Sequence, residues 1–366
     1  MEKFKSAKFN TFVIMSEKKR ILVAPLNWGL GHSTRCIPII HALQDEFYEP
    51  VIASDGIALE LLRKEFPDLE AYELPSYDIE YAKKGKNFKL KMIWDSPKML
   101  AAITKERKAV EKLVEEKNIH GIISDNRLGI QLKKIPCVFI THQLNVLTGN
   151  TTWLSSKIHQ NIIKRYDECW VPDFKDKPNL SGKLGHLKKD KKNIKYIGPL
   201  SRIAKKKIPK AYDIMGLISG PEPQRTMLEE LLIEELKKHS GKVLIVRGKI
   251  EKEQTRKEDD NLVIYNYMTK EQLEEAFNQS DIVISRSGYT TIMDLAKLEK
   301  KAFFIPTPGQ YEQVYLAKRL KKKGMIPYCK QEDFRLKKLD SIDVYNGFTV
   351  LPENNNQLAD LFTIFD

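Results

Sequence analysis

Hydrophobic residues fall along this chain in short continuous runs, separated by polar stretches with helical spacing. Residues 21–25 (ILVAP) form an apolar run of the kind a strand buried on both faces needs. The run breaks at Asn27-Trp28-Gly29-Leu30-Gly31-His32 before a helical pattern through Leu43, which predicts strand, glycine-rich turn, helix. The alternation continues with PVIAS (50–54), helices over 58–65 and 98–117, GIISD (121–125), CVFIT (137–141) and a short strand CWVP (169–172). Repeated β-α units of this kind make a parallel sheet with helices on both faces. The same grammar restarts with IMGLIS (214–219), a helix from 224 to 239, KVLIVRG (242–248), NLVIYN (261–266) and a helix over 270–278. It closes with DIVIS (281–285), a helix over 290–298 and AFFIP (302–306).

The pattern predicts an α/β protein with two doubly wound domains. The junction falls near Gly198–Asp213, where GPLSRIAKKKIPKAYD combines Gly, Pro and charge as linkers do. The expected organisation is a tail over 1–14, a first domain over 15–203, a second over 204–330, and a C-terminal segment, 331–366, packing back on the first domain. Two such domains leave a cleft between the carboxyl ends of their strands, where open α/β sheets bind ligands. Met1 and Met15 are both candidate starts, because Met15 is followed by SEKKR and then the first strand.

At 366 residues the chain has room for two cores, and 42% hydrophobic with 30% charged residues excludes a collagenous or mainly disordered protein. The net charge of +13 is local: residues 175–210 hold thirteen basic and two acidic residues. This stretch lacks interleaved aromatics apart from Tyr196, so it reads as a solvated loop and no nucleic-acid partner is expected. Four scattered cysteines without a CxxC pair read as reduced thiols in a cytoplasmic protein, and no apolar run reaches the ~18 residues of a membrane span. Residues 81–94 mix five lysines with Phe, Leu, Met, Ile and Trp. They suit either a peripheral patch on anionic membrane or a basic loop before a helix.

Four constellations carry candidate chemistry. The first is the turn Gly29-x-Gly31-His32, where glycines allow close backbone approach to a ligand and the imidazole suits a general base. A helix-capping or core histidine is the alternative there, and the reading given to His41, His120, His159, His186 and His239. Thr34 stands where a dinucleotide fingerprint wants its third glycine. The second is Asp125, at a strand end on the same sheet edge, placed either to orient His32 or to serve as an N-cap or a partner of Arg127. His142 ends the next strand at the same rim. The third is Ser219-Gly220 followed by Arg225, a turn feeding a helix N-terminus that can take a phosphate. The fourth is Ser285-Arg286-Ser287-Gly288-Tyr289-Thr290-Thr291, which opens a helix carrying Asp294 and precedes Gln310–Gln313. Small residues and hydroxyls at a helix start bind diphosphate, and a carboxylate one turn further in can take a ribose diol.

From residue 21 to about 320 the chain resembles GT-B fold glycosyltransferases of family 28, which include the N-acetylglucosaminyltransferase of peptidoglycan synthesis and plant galactolipid synthases; SRSGYTTIMDL is the closest match. The resemblance implies two Rossmann-like domains facing across a cleft. It implies diphosphate contacts at Ser287, Gly288, Thr290 and Thr291, and ribose contact at Asp294, where the family more often has Glu. Gln313 carries over from a glutamine pair that touches the donor sugar, and here Glu312 replaces the first member. Arg202, in YIGPLSR, is implied as a diphosphate ligand. Ser219, Gly220 and Arg225 lie in a loop that is glycine-richer in the family, and Gly29, Gly31 and His142 lie on the acceptor side. The implied activity is inverting, metal-independent transfer of a sugar, N-acetylhexosamine included, from a UDP-sugar to an acceptor hydroxyl, a lipid-linked one included. His32 is the expected base with Asp125 behind it, and no cofactor beyond the donor is expected. A nucleotide-sugar 2-epimerase or a noncatalytic sugar-nucleotide binder shares the fold and stands as the alternative.

Overall fold

The computed structural model describes residues 17–77, 88–147, 152–189, 191–249, 251–349, 351–352 and 358–366, with backbone alone for 88–99. The tail over 1–14 lies outside these residues, as do 81–87 and the side chains of 88–94 in the lysine-rich segment. The run 21–25 forms β1 (Arg20–Pro25), and β2 (Glu49–Ser54), β3 (Ala71–Glu73), β4 (Ile119–Asp125), β5 (Cys137–Ile140), β6 (Glu168–Val171) and β7 (Ile194–Tyr196) complete one sheet. Its order is β3-β2-β1-β4-β5-β6-β7 and every pairing is parallel. Ile21, Leu22 and Val23 are wholly buried because both faces are covered, each stabilising the fold by about 1.5–3 kcal/mol. Strand alternation sends Ile21 and Val23 toward α1 (Leu30–Asp45), while Leu22 and Ala24 meet Val110 and Leu113 of α3 (Phe88–Glu116).

The second sheet holds β8 (Tyr212–Leu217), β9 (Val243–Val246), β10 (Arg256–Asp259), β11 (Leu262–Tyr265), β12 (Ser280–Ser285) and β13 (Lys301–Phe304), in the order β10-β11-β9-β8-β12-β13. Helices α5 (Gln224–Leu236), α6 (Lys270–Gln279), α7 (Tyr289–Lys297) and α8 (Tyr311–Lys322) belong to this half. In the first half, α2 (Gly56–Glu65) follows β2 and α4 (Thr152–Ile163) follows β5. Apart from the edge strand β10, the two sheets share one winding. In each, the first strand is flanked on one side by the second and on the other by the fourth parallel strand, so the order reverses between β1 and β4 and between β8 and β12. Those reversals open the crevices where such sheets take ligands.

Several elements depart from the sequence pattern for definable reasons. Helix α3 starts ten residues before the expected Lys98, because Pro97 reads as a boundary in sequence but is carried inside the helix. Helix α5 stops at Leu236, three residues short. The edge strand β10 is antiparallel to β11 across a turn at Asp260, whose φ is 55°, and its sequence RKED offers no apolar run to find. Strands β3 and β7 are shorter still, at three residues each, and α4 and α8 also lie outside the predicted set. The linker is bound to α6 by Ala204 N donating to Glu274 Oε2 and Lys206 N to Asn278 Oδ1, both at 2.8 Å. The basic stretch is partly neutralised, with Lys195 on Glu168, Lys205 on Glu299 and Lys206 on Glu274. The chain's last turn packs on the first sheet: a Cβ at Gly121 would run into the Phe365 ring, and Lys19 Nζ donates to Phe365 O at 2.9 Å.

Candidate functional site

The first crevice is built from the end of β1 and the start of α1. Leu26 N donates to Asp125 O at 2.9 Å, which carries the β1–β4 register past the strand ends. Gly29 precedes α1 with φ 78°, a conformation that strains any side chain with a Cβ. Its neighbours Leu30 and Gly31 then start the helix, and His32 turns its Nδ1 to 2.7 Å from Asp125 Oδ1. Asp125 is wholly buried and Arg35, one turn along α1, is 2% exposed. The Arg35 guanidinium donates through Nε and Nη2 to both Asp125 oxygens and lies 2.9 Å from His32 Nδ1 and 3.1 Å from His142 Nδ1.

Sequence reasoning brought His32, Asp125 and His142 to one rim and the structure joins them, but it missed Arg35, which touches all three. The signal was present: Arg35 lies between Ser33 and Cys36 on the buried face of α1, three residues after the histidine. Arg127 does not pair with Asp125. It is buried against Glu106 and Asp55, so that bland reading of Asp125 is set aside. The other histidines are engaged elsewhere: His41 against Phe66, His120 on Arg20 N, His159 against Phe139, His186 on Asp173, and His239 on Asp213.

The second crevice differs in its chemistry. Helix α7 begins after Gly288 and has no side-chain cap among the described residues, which leaves its first N–H groups for a ligand, whereas α5 begins after Pro223 and Glu222 Oε2 accepts from Thr226 N at 3.2 Å in its first turn. Ser219 and exposed Gly220, φ 109°, lie at the end of β8, where a Cβ on Gly220 would come 3.7 Å from Thr307 Oγ1. Ser287 Oγ donates to Gln313 O at 2.8 Å, and Gln313 Oε1 accepts from Thr307 N at 2.8 Å, which joins the α7 and α8 starts. Thr290 and Thr291 sit in the first turn of α7. Buried Ser285 Oγ, Thr307 Oγ1, Arg286 Nε and Gln224 Oε1 have no partner within the described residues. Arg286 donates to the carbonyls of Ile305 and Gln224 and to Gln331 Oε1, and meets no carboxylate in these bonds; burial pushes its pKa down to about 10.

Asp294 is half-buried one turn into α7 and accepts from Ser201 Oγ at 2.6 Å. Burial raises its pKa to about 7 against the opposing pull of Ser201 and Arg202. Arg202 lies beside it, 4.0 Å from Glu65 of the first domain. Arg225 is a correction to the sequence reading, which had it as a spare positive charge for phosphate. It is held by Glu222 and by Glu229 at 2.7 Å and also donates to Arg247 O, so its charge is already matched.

The two crevices meet. Thr290 Oγ1 donates to Gly31 O at 3.3 Å, and a Cβ on Gly31 would lie 2.6 Å from that hydroxyl oxygen, so the two turns touch only because position 31 lacks one. The His142 ring stacks on Tyr289 with centroids 4.3 Å apart and 3° between planes, and Tyr289 OH donates to Pro172 O at 2.9 Å. His142 Nε2 lies 2.8 Å from Glu312 Oε1, and Gln143 Nε2 donates to Glu312 Oε2. Glu312, set aside in sequence as a departure from a glutamine pair, is thus the acid that closes the interface. Burial works against its ionisation, yet His142, and then His32 and Arg35, hold its carboxyl below the usual range. For Asp125 the same contest ends at about 2, burial being outweighed by Arg35 and His32.

Residues 224–342 match the model of the Glycosyltransferase family 28 C-terminal domain. Over 337 residues the chain is 27% identical to a UDP-N-acetylglucosamine--N-acetylmuramyl-(pentapeptide) pyrophosphoryl-undecaprenol N-acetylglucosamine transferase of Clostridium tetani, covering 87% of each chain. Among solved structures, the glycotransferase of kitacinnamycin superposes with a TM-score of 0.65 at 14% identity, covering 95% of both chains. Acinetobacter baumannii MurG gives 0.59 at 12%, covering 95% of this chain and 99% of its own. The architecture is the GT-B fold.

Proposed function

We propose that this glycosyltransferase, a GT-B protein with a family 28 C-terminal domain, moves a sugar from a UDP-sugar to an acceptor hydroxyl with inversion and without a metal. The observation that carries the reading is the placement of a histidine–carboxylate pair at one switch point, in contact with an uncapped helix N-terminus at the other. In this reading the acceptor hydroxyl gives its proton to His32 Nε2, while Asp125 holds Nδ1 and stabilises the imidazolium that forms. The oxygen attacks the anomeric carbon from the face opposite the leaving diphosphate; one C–O bond forms as the other breaks, and UDP departs carrying the electron pair.

The departing charge is met by the α7 N-terminus with Ser287, Gly288, Thr290 and Thr291, helped by Ser219, Gly220 and Arg202. Asp294 takes the ribose diol in its ionised form, and Gln313 faces the sugar. The Clostridium tetani relative is named for a UDP-N-acetylglucosamine donor and an undecaprenol-linked acceptor, which supports an N-acetylhexosamine and a lipid-linked acceptor here. A surface feature agrees: Trp153, Leu154 and Ile158 of α4 are 68%, 45% and 55% exposed. Helix α4 braces the loop after His142 through Ser156 Oγ, which accepts from Val146 N at 3.0 Å, and Gln160 Nε2, which donates to Leu144 O at 3.1 Å. An apolar face beside the acceptor side suits peripheral contact with the cytoplasmic leaflet. No helix among the described residues is long and apolar enough to cross a membrane.

The test is transfer from UDP-N-acetylglucosamine to polyprenyl-diphosphate-linked sugar acceptors, with EDTA present. Transfer lost in His32→Ala supports the reading. Donor conversion without any acceptor would make it an epimerase, and donor binding without turnover a noncatalytic binder.

A further inference from the structure

One nitrogen in the first crevice is contested. His32 Nδ1 lies 2.7 Å from Asp125 Oδ1, which can only accept, and 2.9 Å from Arg35 Nη2, which can only donate. A neutral imidazole satisfies one of these neighbours at a time. If Nδ1 carries the proton and gives it to Asp125, Nε2 is bare and can take a proton from an acceptor. If Nδ1 accepts from Arg35, Nε2 carries the proton and His32 cannot act as a base. The protonation state of His32 is therefore set by how the Arg35 guanidinium is engaged.

Each of its three nitrogens is engaged. Nε and Nη2 are given to the two Asp125 oxygens, and Nη1 faces His142 Nδ1 at 3.1 Å. That contact fixes the His142 tautomer, with Nδ1 accepting from Arg35 and Nε2 donating to Glu312. With both arms turned to Asp125, Arg35 leaves Nδ1–H of His32 to bond the carboxylate, the shorter and charge-assisted contact.

We infer that Arg35 is a positioning residue, which locks Asp125 in its ionised, aligned form while its own charge keeps His32 uncharged and its Nε2 free. This rests on the reading of His32 as the base. The groups facing His32 are Arg35 on its own helix, Asp125 from β4, and His142 from the loop after β5, with Glu312 of α8 behind His142. Burial, then Arg35, lower the His32 pKa, and Asp125 pulls the other way. Without the Arg35 charge, Asp125 would pull against burial with less to oppose it, and the His32 pKa would rise. Through Nη1, His142 and Glu312, the same guanidinium reaches the start of α8, beside the proposed donor-sugar contact Gln313, so the alignment of the base depends on the seating of the second domain.

The measurement is the titration of the seven histidines by long-range proton–nitrogen NMR on the full chain, with His32→Gln used only to assign the His32 signal. In the wild type, His32 should be uncharged at neutral pH, with its proton on Nδ1. Arg35→Gln should raise the His32 midpoint by about one unit or more. Arg35→Lys, which keeps the charge but loses the two-pronged grip, should hold it closer to wild type. A wild-type His32 already protonated at neutral pH would overturn the inference without any variant. So would a folded Arg35→Gln whose His32 midpoint does not move. The two readings fail separately: if the midpoint moves as stated but His32→Ala keeps full transfer, the positioning holds and the base assignment falls.

Discussion

The two crevices occupy the same place in the same strand order, yet they treat buried charge in opposite ways. In the first, Arg35, Asp125, His32, His142 and Glu312 answer one another, and the Asp125 carboxylate is saturated by donors from its own domain. In the second, among the described residues, Arg286 is buried without a carboxylate among its bonds, Ser285 and Thr307 have unpartnered hydroxyls, and α7 starts without a side-chain cap. A site that must position a base is complete before substrate arrives, since any freedom in the base's partners would weaken it. A site that must take up a diphosphate leaves donors and positive charge for the ligand to satisfy. One scaffold thus carries a preorganised half and a receptive half, and the Thr290–Gly31 contact sets them face to face.

This contrast can be broken most severely on the preorganised side. His32→Ala should cut transfer by about 10²–10⁴-fold while leaving stabilisation by UDP intact, because the base contributes to the chemical step and not to the donor seat. Steady-state rates alongside UDP melting curves separate the two. Asp125→Asn leaves Arg35 buried with its charge unmatched and should cost about 3–5 kcal/mol of stability in a denaturant titration. A loss below about 1 kcal/mol would mean that the network is not the rigid unit described.

On the receptive side the effects are smaller. Asp294→Asn should weaken UDP binding by about tenfold if the proposed ribose contact holds, with a gentler effect on folding. The pH dependence carries a definite sign. An unfolded Asp loses its proton near pH 4, but Asp294 keeps its own to about 7, so the native state holds the extra proton between those values and stability falls as pH rises through that window. Asp294→Asn should remove that fall, seen as a flatter melting temperature between about pH 4 and pH 7. The smallest expected effect is peripheral: Trp153→Glu should reduce sedimentation with anionic vesicles at low salt by a few-fold and leave UDP binding unchanged. If the wild type does not sediment at all, α4 is not a membrane contact.

Much of this was legible because both halves announce themselves by the same device, a continuous apolar run ending in a turn of small residues. ILVAP before Gly29 and DIVIS before Ser287 are β1 and β12, and the residues at their ends line the crevices. What sequence hid follows from what it displays poorly. Arg35 is a charged residue on a helix, and charge ordinarily marks the solvent face; only its position beside Cys36 and opposite a strand-end carboxylate turns it inward. Arg225 misleads in the reverse direction, since its partners at Glu222 and Glu229 are visible three and four residues away but a basic residue at a helix start invites a phosphate. Glu312 could be recognised as the interface acid only once β5 and α8 were brought together in space. The edge strands are short, β3 and β7 half-buried and β10 largely exposed, so they lack the apolar runs by which the central strands are read.

Under the proposed function, the second crevice is a diphosphate site for a uridine nucleotide that works without a metal. Thermal unfolding of the full chain with UDP, GDP, CDP, dTDP, ADP or NAD, each with and without EDTA, tests it directly. Selective stabilisation by UDP that survives EDTA is the predicted result. Stabilisation by NAD alone, by none of the nucleotides, or by UDP only while a divalent cation remains, would contradict it.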